Sequence, residues 1–133
     1  MQSLNPEDRL QLARMIVNLL DEWGVEPAGQ VLLLGLPEET KPRSMARYGR
    51  DLPLPEDAEV MERVEHLVGI ADALRTTFPR NARMGTLWLN QRNNRFNDRV
   101  PLDVMLEDGL AGVIAVRAHL DCAFDWDMSG SKA

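Results

Sequence analysis

Two residues near the end of the chain have side chains that could act together in nucleophilic catalysis. His119 and Cys122 are three positions apart, so in a helix they share one face, where an imidazole base can activate a thiol. No third residue that would orient the imidazole is indicated, and a single pair at this spacing is common by chance. The pair therefore gives little support to a catalytic site.

The sequence also lacks the motifs of other common active sites. It has no glycine-rich phosphate loop, no Gly-x-Ser-x-Gly elbow and no His-Glu-x-x-His metal motif. Cys122 is the only cysteine, which excludes an intrachain disulfide and a thiolate metal cluster, and His66 is an isolated imidazole. We therefore expect a protein that is not an enzyme, with no catalytic residue, no metal and no cofactor.

Charge is arranged in blocks along the chain. The net charge is −6, yet residues 41–50 hold four basic residues and no acid, and residues 79–100 hold five arginines against one aspartate. An acidic protein repels phosphates, so non-specific coating of DNA is disfavoured, although one basic element can still dock. No apolar run approaches the ~20 residues that span a bilayer, and no signal-peptide pattern is present. A cytoplasmic protein without membrane association is expected.

Apolar residues recur at helical spacing, and no segment alternates in the way of a convincing strand. Asn5 and Pro6 are typical of a helix start, and Gly24 and Gly35 are typical of helix ends. The predicted helices cover about 6–23, 27–34, 40–49, 56–78, 82–90, 101–108 and 110–121. The predicted fold class is all-α.

The first three helices have the outline of a helix-turn-helix. The third, which Thr40 would cap, carries the short polar and basic side chains that read bases and phosphates. The candidate DNA-binding residues are Lys41, Arg43, Ser44, Arg47 and Arg50. Prolines make residues 51–55 a stiff connector. We therefore predict a helix-turn-helix-like region over 1–52, followed over 53–133 by a long linking helix, a C-terminal helical domain and a tail.

A spaced set of residues between Trp88 and Leu120 carries the most specific pattern in the chain. Its parts are Trp88-Leu89, Asn93, Phe96, Pro101-Leu102, Gly109 and then Val113, Val116 and Leu120. In order and spacing they resemble the toxin-binding domain of the Xre/MbcA/ParS-type antitoxins. Looser similarity upstream, including Trp23 and the leucines before Gly35, extends the resemblance over roughly residues 20–120.

The sequence departs from the family pattern in the turn before Pro101. Asn97 and Asp98 stand where glycines are usual, and these two residue types best tolerate a left-handed backbone. Val100 stands where a Ser or Thr helix cap is usual, and valine cannot cap. Pro42 in the third helix is also unusual and weakens the prediction of direct base reading.

The resemblance implies a function. Antitoxins of this type bind a RES-domain toxin, which degrades NAD or modifies proteins with ADP-ribose, and they cover its NAD pocket, often with the C-terminal region. Many also form a homodimer through the helix-turn-helix half, within a larger toxin–antitoxin complex, and repress their own operon. We therefore expect a helix-turn-helix-like bundle followed by a C-terminal helical toxin-binding domain.

The candidate toxin-binding residues combine a basic set, expected to be exposed, with an aromatic and acidic tail. Aromatic anchors often dominate interfaces, and carboxylates can pair with arginines that would otherwise hold the NAD phosphates. The residues are Arg92, Asn93, Arg95, Arg99, Asp121, Phe124, Asp125, Trp126 and Asp127. Two alternatives stay open: a helix-turn-helix transcription regulator without a toxin partner, and a helical interaction module that binds neither toxin nor DNA.

Overall fold

The computed structural model describes the backbone of residues 5–129 and the side chains of residues 5–122. The helices are α1 (Pro6–Glu22), α2 (Pro27–Leu34), α3 (Met45–Tyr48), α4 (Ala58–Thr77), α5 (Ala82–Asn90), α6 (Pro101–Glu107) and α7 (Gly109–Ser129). Across this range the one extended pairing is an isolated antiparallel bridge between Asn93 and Arg99. The predicted all-α fold class is confirmed, and none of these helices is long and apolar enough to cross a bilayer.

The chain divides into two compact units, Met1–Glu65 and His66–Ala133, and the division falls within α4. The sequence analysis placed a boundary after residue 52, in the proline-containing connector. Leu54 of that connector is fully buried, and its carbonyl accepts a hydrogen bond from Arg9 Nη1 at 2.9 Å. The connector therefore packs as part of the first unit.

The ends of α1 and α2 follow local capping rules. Asn5 Oδ1 accepts a hydrogen bond from the backbone N–H of Asp8 at 2.7 Å, and Pro6 occupies the first helical position. Gly24 and Gly35, which follow the two helices, have φ angles of +83° and +67°. Glycine adopts these angles without the steric cost that a Cβ would add. The predicted starts and ends of both helices are confirmed to within one residue.

The prediction of a regular third helix from Thr40 to about Gly49 is wrong. Residues Pro42–Ser44 form a short 3-10 turn, and α3 has only four residues. Lys41 is extended, with φ −82° and ψ 139°, because a residue before proline is excluded from the helical region. Thr40 therefore cannot cap a continuous helix, and the helix-turn-helix arrangement stays a prediction.

In the second unit, α6 and α7 form a tight helical hairpin. Gly109 makes the turn between them with φ +67°. A Cβ on Gly112 would overlap the carbonyl oxygen of Val104, so only glycine permits this close approach of the two helices. Six apolar residues of the hairpin form its buried side: Leu102, Val104, Met105, Val113, Val116 and Leu120. Gly112 therefore allows the close packing of the hairpin.

Replacing Val100 with threonine is expected to stabilise the second unit by about 1 kcal/mol. Val100 is the N-cap residue of α6, with φ −73° and ψ 128°, and it provides no side-chain hydrogen bond there. Threonine keeps the branched shape of valine and adds a hydroxyl that can accept from a backbone N–H of the first turn. Urea unfolding of wild type and Val100→Thr measures the change. A variant that unfolds at lower urea than wild type would contradict this explanation.

Candidate functional site

Three rings from separate segments of the second unit meet in one cluster. Trp88 of α5 stacks on His119 of α7, with ring centroids 5.9 Å apart and planes 9° from parallel. Phe96, from the loop between α5 and α6, lies edge-on to His119 at 5.4 Å and to Trp88 at 6.4 Å. Such ring pairs contribute roughly 0.5–1.5 kcal/mol each beyond their burial. This aromatic cluster of Trp88, Phe96 and His119 therefore ties α5, the loop and α7 together.

Burial holds the pKa of His119 below its ordinary value, and the positive charge of Arg95 lowers it further. Both effects disfavour the imidazolium, so the ring is neutral at neutral pH. Cys122 is exposed further along α7. The ring contacts of His119 are with Trp88 and Phe96, so this histidine is a packing residue of the second unit.

Lowering the pH is expected to destabilise the second unit through His119. Its folded-state pKa lies below the unfolded-state value of about 6.5, so the unfolded chain binds the proton more tightly. The free energy of unfolding therefore decreases as the pH falls through the unfolded pKa towards the folded one. Urea unfolding at about pH 7.5 and about pH 5 measures this. In His119→Phe, which keeps a ring, the free energy of unfolding should depend less on pH. An equal pH dependence in both proteins would show that His119 is not its cause.

The loop between α5 and α6 is closed by backbone hydrogen bonds at its ends. The N–H of Asn93 donates to the Arg99 carbonyl at 3.1 Å, and the Asn93 carbonyl accepts from the N–H of Asp98 at 3.0 Å. Asn93 Oδ1 accepts from the N–H of Arg95 at 2.9 Å. Asn97 and Asp98 have φ angles of +57° and +64°, so the predicted left-handed turn is confirmed. Asn93 thus holds the loop that presents the arginines.

Arg99 is bound to carboxylates of its own unit. Its Nη1 and Nη2 donate to the two carboxylate oxygens of Asp108 at 2.9 and 3.1 Å, and Nη2 also donates to Glu107 Oε1 at 2.8 Å. The hydrogen bonds with Asp108 and Glu107 raise the pKa of Arg99, and the one from Arg99 lowers the pKa of Asp108. The Arg99 side chain is 37% exposed, and these hydrogen bonds at the surface anchor the loop to the end of α6.

Arg92 and Arg95 are exposed, as predicted. Neither guanidinium forms a hydrogen bond or an ion pair with a residue that the structure describes. An open depression of about 400 Å³ lies beside the loop. It is lined by Arg92, Asn97, Asp98, Arg99, Val100, Asp103 and Glu107. Of the four residues predicted in this loop, Arg92 and Arg95 are therefore the two that offer free donors.

The predicted acidic and aromatic tail is only partly covered by the structure. Asp121 is exposed on α7, with its Oδ2 3.8 Å from Arg117 Nε. The backbone of α7 continues to Ser129, beyond the end predicted near residue 121. The side chains of Phe124, Asp125, Trp126 and Asp127 lie outside the described residues, and their role stays a prediction.

In the first unit, the predicted DNA-binding residues surround α3. Lys41, Arg43, Arg47 and Arg50 are exposed, and Ser44 is half-buried. Arg47 and Arg50 both approach Asp51, at 3.9 and 3.8 Å. The sequence analysis missed Arg14, whose Nε and Nη2 donate to the Arg50 carbonyl at 2.9 and 2.7 Å. No local signal reveals this, because the two residues are 36 positions apart.

Two surface residues of α5 were also missed as candidate contacts. Met84 and Leu87 are 44% and 45% exposed, whereas Gly85 and Leu89 of the same helix are buried. The sequence contained a signal for them, because apolar residues cover more of the circumference of α5 than one buried face requires. Among the residues that the structure describes, no group of His, Cys, Asp and Glu is arranged to hold a metal ion.

Comparison with known proteins agrees with this geometry for part of the chain. The sequence matches none of the curated proteins with which it was compared. Residues 73–122 match the family model described as the antitoxin Xre/MbcA/ParS C-terminal toxin-binding domain. The matched segment contains α5, the loop with its arginines, α6 and the part of α7 that carries His119. Residues 73–122 are therefore similar to the C-terminal toxin-binding domain of the Xre/MbcA/ParS antitoxins, and the sequence-based resemblance is confirmed for that segment.

Proposed function

We propose that this chain is a cytoplasmic antitoxin that neutralises a RES-domain toxin by covering the toxin's NAD pocket. The observation that carries the proposal is the match of residues 73–122 to a toxin-binding domain of antitoxins. The toxin consumes NAD, either by degrading it or by transferring its ADP-ribose to proteins. Neutralisation needs no chemistry from the antitoxin, because occupying the pocket is enough to exclude the substrate.

The second unit supports this function with a rigid frame and free donors. The aromatic cluster and the clamp of Arg99 on Asp108 fix the loop, so the backbone that carries Arg92 and Arg95 loses little further entropy on binding. We propose that these two arginines contact acidic groups of the toxin. The acids of the tail, Asp125 and Asp127, would pair with the toxin arginines that otherwise hold the NAD phosphates.

Co-expression with the product of the adjacent gene tests the proposal. That product alone is expected to stop growth and deplete cellular NAD or modify proteins with ADP-ribose, and this chain is expected to restore growth. A chain carrying a stop codon at residue 66 serves as the control, because it lacks the matched segment. Growth arrest that persists with the intact, expressed chain would refute the antitoxin function.

A second candidate function is binding of operator DNA by the first unit, as an autorepressor or as a regulator without a toxin partner. The observation that favours it is the exposed basic set around α3, extended by Arg14 beside Arg50. Because α3 is only one turn long, we propose that these side chains chiefly contact phosphates. By the family resemblance, the DNA-bound form is a homodimer.

A gel shift with the promoter DNA of its own operon tests this second function. The double substitution Arg43→Ala/Arg47→Ala is expected to weaken binding and to reduce the slope of log affinity against log salt by about 2. Arg75→Ala/Arg80→Ala, two exposed arginines of the second unit, is the matched control. Unchanged affinity and slope in the first variant would remove the DNA-binding function.

A further inference from the structure

Helix α5 presents an apolar row to the surface. Met84, Leu87 and Trp88 are spaced i, i+3 and i+4, which places them on one helix face. Met84 and Leu87 are 44% and 45% exposed, and Trp88 is half-buried. The opposite face already supplies the buried Gly85 and Leu89. Packing within the chain accounts for Trp88, whose ring contacts His119 and Phe96, but not for the exposure of Met84 and Leu87.

The row continues into the aromatic cluster and is bordered by basic residues. Trp88 stacks on His119, and Arg95 lies near enough to His119 for its charge to act on the ring. Arg83 is exposed on α5, four residues before Leu87, so it lies next to Leu87 along the helix. The row of Met84, Leu87 and Trp88 thus lies on a unit that also exposes Arg83 and Arg95, and Trp88 joins it to the ring of His119.

The residue types of the row, together with Arg83 and Arg95, resemble those at the centre of a protein interface. Such centres are enriched in aromatic residues, methionine and arginine, and an exposed Met–Leu pair has no stabilising role in the free protein. Five large apolar residues among those described are more than two-fifths exposed, and three of them, Met84, Leu87 and Ile114, lie within the matched toxin-binding segment 73–122. Their position in a segment that matches a toxin-binding domain supports a toxin as the partner of this face.

We propose that the apolar row on α5 is the docking surface for the body of the toxin, which meets it with an apolar pocket edged by acidic side chains. This proposal rests on the proposed antitoxin function and adds to it a contact separate from the tail. The row supplies affinity, because burying Met84 and Leu87 removes apolar surface from water. Arg83 and Arg95 supply orientation and a faster association rate.

Calorimetric titration of the full chain against the toxin encoded by the adjacent gene tests the docking surface. The double variant Met84→Glu/Leu87→Glu is expected to bind at least about 100-fold more weakly than wild type, because it replaces two central apolar contacts by charge. Met15→Glu is the matched control. Met15 is a helical methionine of the first unit that is 47% exposed, and its substitution should leave the dissociation constant unchanged.

Circular dichroism must show that each variant is folded. If the Glu double variant unfolds, Met84→Gln/Leu87→Gln replaces it, and its affinity for the toxin is expected to fall at least about tenfold. Wild type that binds the toxin, together with folded double variants that bind equally well, would overturn the docking surface and leave the antitoxin function standing. Wild type that does not bind would overturn both. Equal weakening by Met15→Glu would show that added negative charge, and not the row, causes the effect, and would overturn the proposal.

Discussion

Gly112→Ala is expected to destabilise the second unit by about 3 kcal/mol, enough to disrupt its fold at physiological temperature. The added Cβ would overlap the carbonyl oxygen of Val104 and lie 2.8 Å from the Cβ of Asp108. A backbone carbonyl cannot rotate away as a side chain can, so α6 and α7 must separate. Separation exposes Met105 and Val113, which are buried. Urea unfolding followed by circular dichroism measures the loss.

The matched control for this prediction is Gly69→Ala, the same substitution inside α4. There the three atoms nearest to the added Cβ belong to the guanidinium of Arg117, the end of a flexible side chain, which can shift where the Val104 carbonyl cannot. Alanine also favours helix by about 1 kcal/mol over glycine, so this variant should be at least as stable as wild type. A Gly112→Ala protein that unfolds at the same urea concentration as wild type would contradict the close helical hairpin.

Deleting residues 121–133 is expected to reduce inhibition of the toxin by at least about tenfold while leaving the second unit folded. Leu120 is the last buried residue described in α7, and Asp121 and Cys122 are exposed. The deletion therefore begins after the described core and removes none of its residues. The tail is proposed to enter the NAD pocket, whereas the row on α5 is proposed to hold the toxin body. The truncated chain should therefore still bind the toxin.

Two assays separate these roles of the tail and of α5. The toxin's NAD consumption is measured against increasing antitoxin concentration, and binding is measured by calorimetry with the same proteins. A replacement chain with Phe124→Ala and Trp126→Ala keeps the length of the tail and tests its aromatic anchors directly. A truncated chain that inhibits as strongly as the intact one would show that the tail does not block the pocket.

Local sequence rules predicted the helix ends because capping depends on neighbouring residues. Asn5 and Gly35 behave as their types and positions indicate, and Asn97 and Asp98 adopt the left-handed turn predicted for them. The same kind of rule explains why the third helix is shorter than predicted, because Pro42 disfavours a helical backbone at Lys41. The fold class and most element boundaries were therefore accessible from sequence.

The candidate site was less predictable because its contacts join distant positions. Trp88 and His119 stack across two helices, and helical spacing places each residue on a face without saying which partner it meets. Arg99 was predicted as a partner contact, and the sequence did not indicate that its guanidinium donates to Asp108, nine positions away. The exposure of Met84 and Leu87 depends on which side of α5 packs inward, and the apolar pattern alone left that open.

The most direct test of the antitoxin function is inhibition of the purified toxin by the purified chain. The proposed function predicts that the toxin's rate of NAD consumption falls as the chain is added and reaches zero at a fixed stoichiometric ratio. Size-exclusion chromatography should then recover a stable complex of the two proteins. NAD consumption that is unaffected by an excess of the folded chain, with the two proteins eluting separately, would contradict it.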